Sequence, residues 1–416
     1  MKLSLFGRIA LALFASWILG LGMTGCGGGT IAYVWVLGQQ YNNIAGFKVD
    51  DYTGNLTAIP HSPFNSNGTN PVSIVVKSGG RFVFVLNQGT GASASGHGSS
   101  SGVAVFSVSG EGALTFQAIY QSQGYVPQWL ALDSTGNYLY VLDKYSPGYN
   151  ASTGQYTAAN TDGLGAITAF SIDSTTGRLS LVTNSTVLKN GLNTPFFEVG
   201  GSPFMMKSQG SCLLTVNSAD NSISPYTFGS SGQLNFTGST GNYIISGATT
   251  ISSINGSGSY VYLTDSGANT IIPYSLATGC TLTPVTGGTV KNESGASNPV
   301  YTLLDSTSKY LYVLNHAQVT TGSSTQAYSY ISAYNVNASN GQLTPISDAP
   351  YTVGAGPVCM VEDPTNQYMY VSNYNDGTVT GKLLDPTTGR LEALSRGSTF
   401  SAVGQATCLA LSGSVD

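Results

Sequence analysis

His61, His97 and His316 are the only imidazoles in the 416-residue chain, so proton transfer by histidine near neutral pH must draw on one of them. Opening an ester or a lactone needs a positioned base or a metal-bound water, and a donor for the developing oxyanion. The chain contains no His-x-His, no His-Glu-x-x-His and no Gly-x-Ser-x-Gly. Neither a zinc site nor a nucleophile elbow is therefore spelled out, and no metal or cofactor is expected. His316, directly after an aromatic strand, is the first candidate for chemistry. Glu198 and Glu362 follow as lone acids, for which a solvated or turn-capping role is the favoured reading. No catalytic set is assigned beyond these three.

Cys26 points to different chemistry. Lys2 and Arg8 precede an apolar run from Ile9 to Leu21, and Met23-Thr24-Gly25-Cys26 follows at once. This has the form of an export signal, and its end resembles the lipobox of bacterial lipoproteins, with Met where Leu is usual. Residues 1–25 are expected to be removed, Cys26 to be lipidated and residues 26–30 to form a short Gly-rich tether. The apolar run is shorter than the ~20 residues of a spanning helix. Acyl chains, at about 0.8 kcal/mol per buried methylene, would hold the protein at a membrane surface. The chain is thus expected to be exported and lipid-anchored in the cell envelope. Gly27 in place of an aspartate favours the outer membrane, or a periplasm-facing position, in a Gram-negative cell.

Charged residues make up 8% of the chain, Gly accounts for 53 residues, and the net charge is −5. So few cations argue against nucleic acid and against attraction to an anionic membrane surface. Solubility must rest on Ser, Thr, Asn, Gln and Tyr, which suits a glycan, a small polar ligand or an envelope protein as partner.

The elements that position these residues come from repetition. An aromatic-apolar strand recurs at Tyr33-Val34-Trp35-Val36, Phe82-Val83-Phe84-Val85, Tyr138-Leu139-Tyr140-Val141, Cys212-Leu213-Leu214-Thr215, Tyr260-Val261-Tyr262-Leu263, Tyr310-Leu311-Tyr312-Val313 and Tyr368-Met369-Tyr370-Val371, spaced by 49, 56, 74, 48, 50 and 58 residues. A second strand and a Gly-x-Leu turn follow each, as in Gly177-Arg178-Leu179 and Gly389-Arg390-Leu391; in the fifth unit Cys280 takes the glycine's place. Pro71, Pro127, Pro299 and Pro357 open a short apolar segment upstream, with Pro203 in a shifted position. The first unit lacks this segment, and Ala406 to Leu411 supplies it from the other end of the chain. Seven units of four short strands, with a strand borrowed across the termini, predict an all-β, seven-bladed β-propeller over residues 31–416, closed by a C-terminal strand that completes the first blade.

Units four, five and seven join their second and third strands by Asn/Asp/Gly clusters that read as hairpin turns rather than calcium loops. Units two, three and six carry insertions there instead: Gln88 to Gly102, Lys144 to Ala166 and His316 to Tyr330. With the connection Thr183 to Gly201, these crowd one face of the ring, which becomes the candidate binding face. Tyr145, Tyr149, Tyr156 and His316 are its candidate contact residues, because a tyrosine offers an apolar ring with a polar tip. Ala92 to Ser101, rich in Gly and Ser, reads as flexible surface loop.

Cys359 and Cys408 occupy equivalent inner-strand positions of units seven and one, which are ring neighbours. An exported protein meets an oxidising compartment. Either a disulfide staples the closure or two thiols lie buried, depending on whether the Cα atoms come within ~7 Å. Cys212 and Cys280 are expected to pack or face a turn without function.

The repeated pattern, Pro-x-x-apolar-apolar, Tyr-Leu-Tyr-Val, Ile-x-Ala-Tyr-x-Val and Thr-Gly-x-Leu-Thr, resembles the seven-bladed lactonase family over the whole mature chain. The resemblance implies a propeller and, for the enzymatic members, hydrolysis of 6-phosphogluconolactone within carbohydrate metabolism. Those members are expected to carry an Arg-His pair after a Gly-Pro at the start of an inner strand. Here the matching segment is Gly356-Pro357-Val358-Cys359-Met360, and no unit supplies the pair. The expectation is therefore a binding or interaction module that uses the loop-rich face, with a divergent lactonase as the alternative.

Overall fold

The computed structural model describes residues 29–413 except 95, 160–161, 186–187, 190–191, 239–240 and 317–328. The signal segment, Cys26 and most of the insertion after His316 lie outside the described residues. Seven antiparallel sheets of four or five strands make up the fold, and the innermost strand of each touches that of the next around a closed ring. The first blade takes its inner strand from the C-terminus: Ala406–Gly413 pairs with Thr30–Gly38, with Val34 opposite Leu411. The chain is thus a seven-bladed β-propeller closed by its last strand, as the repeats predict.

Each second strand is buried on both faces, which is why it reads as a continuous apolar run rather than an alternating one. Trp35, Tyr140, Tyr262, Tyr312 and Tyr370 are wholly buried there. A buried hydroxyl or indole N–H needs a partner, and the partner is the Gly-x-Leu turn of the next blade. Tyr370 Oη donates to the Gly54 carbonyl at 2.6 Å, Tyr312 Oη to Gly389 at 2.8 Å and Trp35 Nε1 to Gly112 at 3.1 Å. The turn must be glycine for two reasons. Its φ is positive, +71° at Gly389, and a Cβ there would fall 2.4 Å from the Tyr310 ring.

Between blades four and five both partners are replaced. Cys212 stands in the aromatic slot, Cys280 stands in the glycine slot at φ +63°, and the two form a disulfide with Cα atoms 5.7 Å apart. The expectation that they merely pack is corrected: a covalent bond takes the place of the aromatic–glycine contact. Cys359 and Cys408 are also bonded, with Cα atoms 5.1 Å apart, across the junction of blades seven and one.

The sixth residue of each second strand from blade two onward is Asn or Asp: Asn87, Asp143, Asn217, Asp265, Asn315 and Asn373. All are buried. In blade three Asp143 accepts from Ser122 Oγ at 2.6 Å, Thr168 Oγ1 at 3.2 Å and the Gly124 N–H at 3.3 Å. In blade seven the amide of Asn373 donates to Thr380 Oγ1 at 2.9 Å, and that hydroxyl accepts from the Gly354 N–H at 3.3 Å. The shared role is to tie the incoming loop to the blade.

Candidate functional site

The innermost strands start on the loop-rich face and run to the opposite one. After their opening residue the register slips by one, as between Pro71 and Ser73 or Pro357 and Cys359. Two and four residues past each opening position, the seven inner strands hold equivalent register positions around the ring. An upper layer consists of Ser73, Trp129, Met205, Ser253, Tyr301 and the Cys359–Cys408 disulfide. A lower layer consists of Val75, Ala131, Lys207, Asn255, Leu303, Val361 and Ala410.

Two cavities meet at the upper layer, sharing Trp129 and both cysteines. The one on the loop-rich face has a volume of about 360 Å³ and is floored by Trp129, Val72, Val358 and Thr407. Its rim is a chain of amides and one phenol. Tyr374 Oη donates to Gln39 Oε1 at 2.8 Å and lies 3.1 Å from Gln405 Oε1, Gln39 donates to Asn70, and Asn70 Nδ2 donates to Gln88 Oε1 at 2.8 Å. The Trp129 indole N–H has no partner among the described residues and is not sealed from solvent. Val126, just before the blade-three proline, has φ +57° where other blades place Asn70, Ser202, Asn298 or Gly356. A β-branched residue is strained there, so this rim carries a local cost beside Trp129.

The second cavity, about 370 Å³, runs from Trp129 past Lys207 to Val76, Leu132 and Leu411 at the lower strand ends. Its wall is mainly apolar. Lys207 is the one charged side chain among the described residues lining either cavity, and no carboxylate or imidazole lines them. Its ammonium has no hydrogen-bond or ion-pair partner among the described residues. The chamber leaves the side chain partly accessible, but protein surrounds it, and the lost hydration holds its pKa below the ordinary lysine value. Burial pushes the Tyr301 phenol up to about 12, so it stays neutral.

The candidates read from the sequence are not brought together. His316 sits on the loop-rich face at the start of the blade-six insertion, hydrogen-bonded to the Pro357 carbonyl, with Nε2 buried and unpartnered; burial lowers its pKa. Glu362 ends the blade-seven inner strand on the opposite face. There its oxygens accept from the Ser306 N–H at 2.7 Å and the Ser306 hydroxyl at 2.8 Å, and burial pushes it up to about 6. It joins blades six and seven as a cap. Glu198 lies opposite Ala166 in the outer ladder of blade three and lines a separate cavity of about 330 Å³ with Phe196, Tyr226 and Phe236. His97 stacks on Tyr125 at 4.6 Å between ring centroids, and its loop is tied by the bridges Thr90–Ser99 and Ser93–Gly96, where a flexible loop was expected.

The tyrosine insertion is a hairpin of Pro147–Asn150 with Gln155–Ala159. Tyr149 and Tyr156 pack at 5.5 Å, and Tyr156 meets Phe196 edge-on at 5.5 Å. Tyr145 lies under the Lys144 ammonium, 5.5 Å from its ring centre. Two of these three tyrosines, Tyr149 and Tyr156, therefore pack against other rings. The two channel residues with the most distinctive chemistry, Trp129 and Lys207, escape sequence reasoning. Their signal is a single departure from the repeat: Trp against Ser, Met and Tyr, and Lys against Val, Ala, Leu and Asn, at equivalent inner-strand positions.

A family model described as a seven-bladed β-propeller lactonase matches residues 29–196 and 288–407. No curated protein matches. Among solved structures, a Bacteroides fragilis protein named for 6-phosphogluconolactonase shares 17% identity over 92% of this chain and 98% of its own, with a TM-score of 0.68. A Bacteroides uniformis protein of the same designation shares 16%, over 92% and 100%, with a TM-score of 0.67. The periplasmic gluconolactonase of Pseudomonas aeruginosa shares 14%, over 92% and 100%, with a TM-score of 0.66. At these identities the likeness concerns the fold.

Proposed function

The chain belongs to the seven-bladed β-propeller lactonase family, and from that premise we propose that it is an exported, lipid-anchored propeller that binds a polar, sugar-like ligand at the channel mouth of its loop-rich face. The observation that carries this reading is the floor of the upper cavity. Trp129 offers an aromatic surface with an N–H unpartnered among the described residues, beside Gln39 and Tyr374 in the cavity wall, to which Asn70, Gln88 and Gln405 are joined by hydrogen bonds. A pyranose has apolar C–H faces and equatorial hydroxyls, which match a ring platform with planar amides around it. The anchor suits the geometry. Thr30 starts its strand opposite Asp50 on the face away from the loops, and residues 26–30 span at most about 14 Å. A lipid on Cys26 would hold that face to the membrane and turn the loop-rich face outward.

A test follows from the tryptophans, which in the mature chain are Trp35, wholly buried, and Trp129. Titration of the protein lacking residues 1–26 with gluconate, glucono-δ-lactone and oligosaccharides should quench or shift the Trp129 emission. Trp129→Phe should abolish the response, and a response unchanged by that substitution refutes the site.

The second reading is lactone opening, which family membership favours. It must work without the family's Arg-His pair and, among the described residues, without an acid or imidazole lining the channel. Turnover of δ-lactones above the spontaneous rate would establish it; a fall in His316→Ala would place it on the rim.

A further inference from the structure

The upper mouth leaves Lys207 unexplained, since it lies below the Trp129 layer in the second chamber. A lone cation there could be an anion anchor, but the chamber is poorly built for one. Lys207 is paired in the ladder opposite Leu214, so its backbone is committed. The neighbouring amide of Asn255 is spent as well, donating to the Thr302 carbonyl at 2.8 Å and accepting from the Gly256 N–H at 2.7 Å. The Tyr301 and Ser208 hydroxyls line the same wall, but among the described residues an anion would find no second cation there to share its charge.

Those conditions favour the other use of an amine. With no carboxylate to hold its proton and little water to solvate its charge, a lysine is driven toward the neutral form, whose lone pair is nucleophilic. We infer that Lys207 is a carbonyl-capturing amine, and that the lower chamber accepts a small aldehyde or ketone with an apolar body. Nζ adds to the carbonyl carbon, the π pair moves to oxygen, and a proton passes from nitrogen to oxygen to give a carbinolamine. Loss of water then leaves an imine, so that amine and carbonyl become imine and water with no oxidant or reductant required. Met205, Met206, Val361 and Tyr301 would flank the carbon skeleton of the guest. This goes beyond sugar binding at the mouth and does not depend on it.

The test uses the protein lacking residues 1–26 at pH 7 with 2,4-pentanedione, which forms a chromophoric enaminone with a neutral amine. One equivalent of chromophore is expected, with none in Lys207→Met. Lys207→Arg, which keeps a cation but cannot form the enaminone under these conditions, should also give none, and far-UV circular dichroism checks that both variants fold. In parallel, butanal with cyanoborohydride converts each imine to a secondary amine that peptide mapping locates. Because the neutral fraction of an amine rises as its pKa is lowered, Lys207 should be labelled faster than the exposed Lys291 and Lys309. Lys382, desolvated but lining neither cavity, should lag behind Lys207. Labelling that follows surface exposure, or a chromophore that persists in Lys207→Met, overturns the assignment. Sugar binding through Trp129 is read separately, so either result can fail while the other stands.

Discussion

Asp143 offers a sharp test of how the blades are tied, because its replacement already exists elsewhere in the ring. It is fully buried, and desolvation pushes its carboxyl up to about 7 from the ordinary 3.8, against the pull of Ser122, Thr168 and the Gly124 N–H. Below pH 4 the group is protonated in folded and unfolded chains alike. Between pH 4 and 7 the folded protein keeps a proton that the unfolded chain releases, so stability falls as pH rises and levels off above 7. At about 1.4 kcal/mol for each pH unit between the two values, the total loss is on the order of 4 kcal/mol. Asn fills this position in four other blades, in three of which a strand-three hydroxyl such as Thr380 Oγ1 accepts from the amide. Thr168 can rotate to do the same. Asp143→Asn should therefore remove the pH-dependent loss, while forfeiting about 1–2 kcal/mol of hydrogen bonding to a charged acceptor. The net expectation is a gain of roughly 2–3 kcal/mol at pH 8. Urea unfolding of both proteins at pH 4.5, 6 and 8 measures it. Glu293 and Glu362, also raised by burial to about 7 and about 6, are common to both proteins and cancel in the difference. A stability difference that changes by less than about 1 kcal/mol between pH 4.5 and 8 would refute the reasoning.

The Cys212–Cys280 bond closes a separation of 68 residues, and its reduction should cost up to about 4 kcal/mol on chain-entropy grounds. Cys212→Tyr with Cys280→Gly rebuilds the contact of the other blades and should be more stable in reductant than either single variant, as thermal unfolding would show. Glu362→Ala strips two hydrogen bonds from Ser306 and should cost about 1–2 kcal/mol, whereas Glu362→Gln should be milder; a lost ligand response in either would instead argue for a functional acid. Lys207→Met relieves an unpaired, largely desolvated amine and should raise the urea midpoint, and a lowered midpoint would count against its isolation. Cys26→Ser should move the expressed protein from the membrane fraction to the soluble one, and unchanged fractionation would remove the lipid anchor.

Much of the architecture was legible because each blade is specified by local patterns. The Tyr-x-Tyr strand, the Gly-x-Leu turn and the Pro that opens an inner strand recur within a few residues of one another. Even the missing first inner strand could be placed at Ala406 to Leu411. The pairing of Cys212 with Cys280 was present in the same pattern and passed unread. The one blade with Cys in the aromatic slot precedes the one blade with Cys in the turn slot, and those slots touch across every other junction. Glu362 was legible as a cap, but its partner Ser306 was not, because the contact joins two blades.

The channel shows where such reading stops. His316, Glu362 and Glu198 were singled out by residue type, yet the fold sends them to the loop-rich face, the opposite face and the outer ladder. Trp129 and Lys207 matter because seven inner strands bring unlike residues together around one channel. The amino-acid sequence determined the repeat, its closure and the surface chemistry, since those rest on periodicity, turn residues and composition within single blades. Only the tertiary structure decided that, among the described residues, the channel is lined by one tryptophan, one cation and no acid, because that depends on which side chains from seven distant segments converge and on what the surrounding protein takes away from them in water.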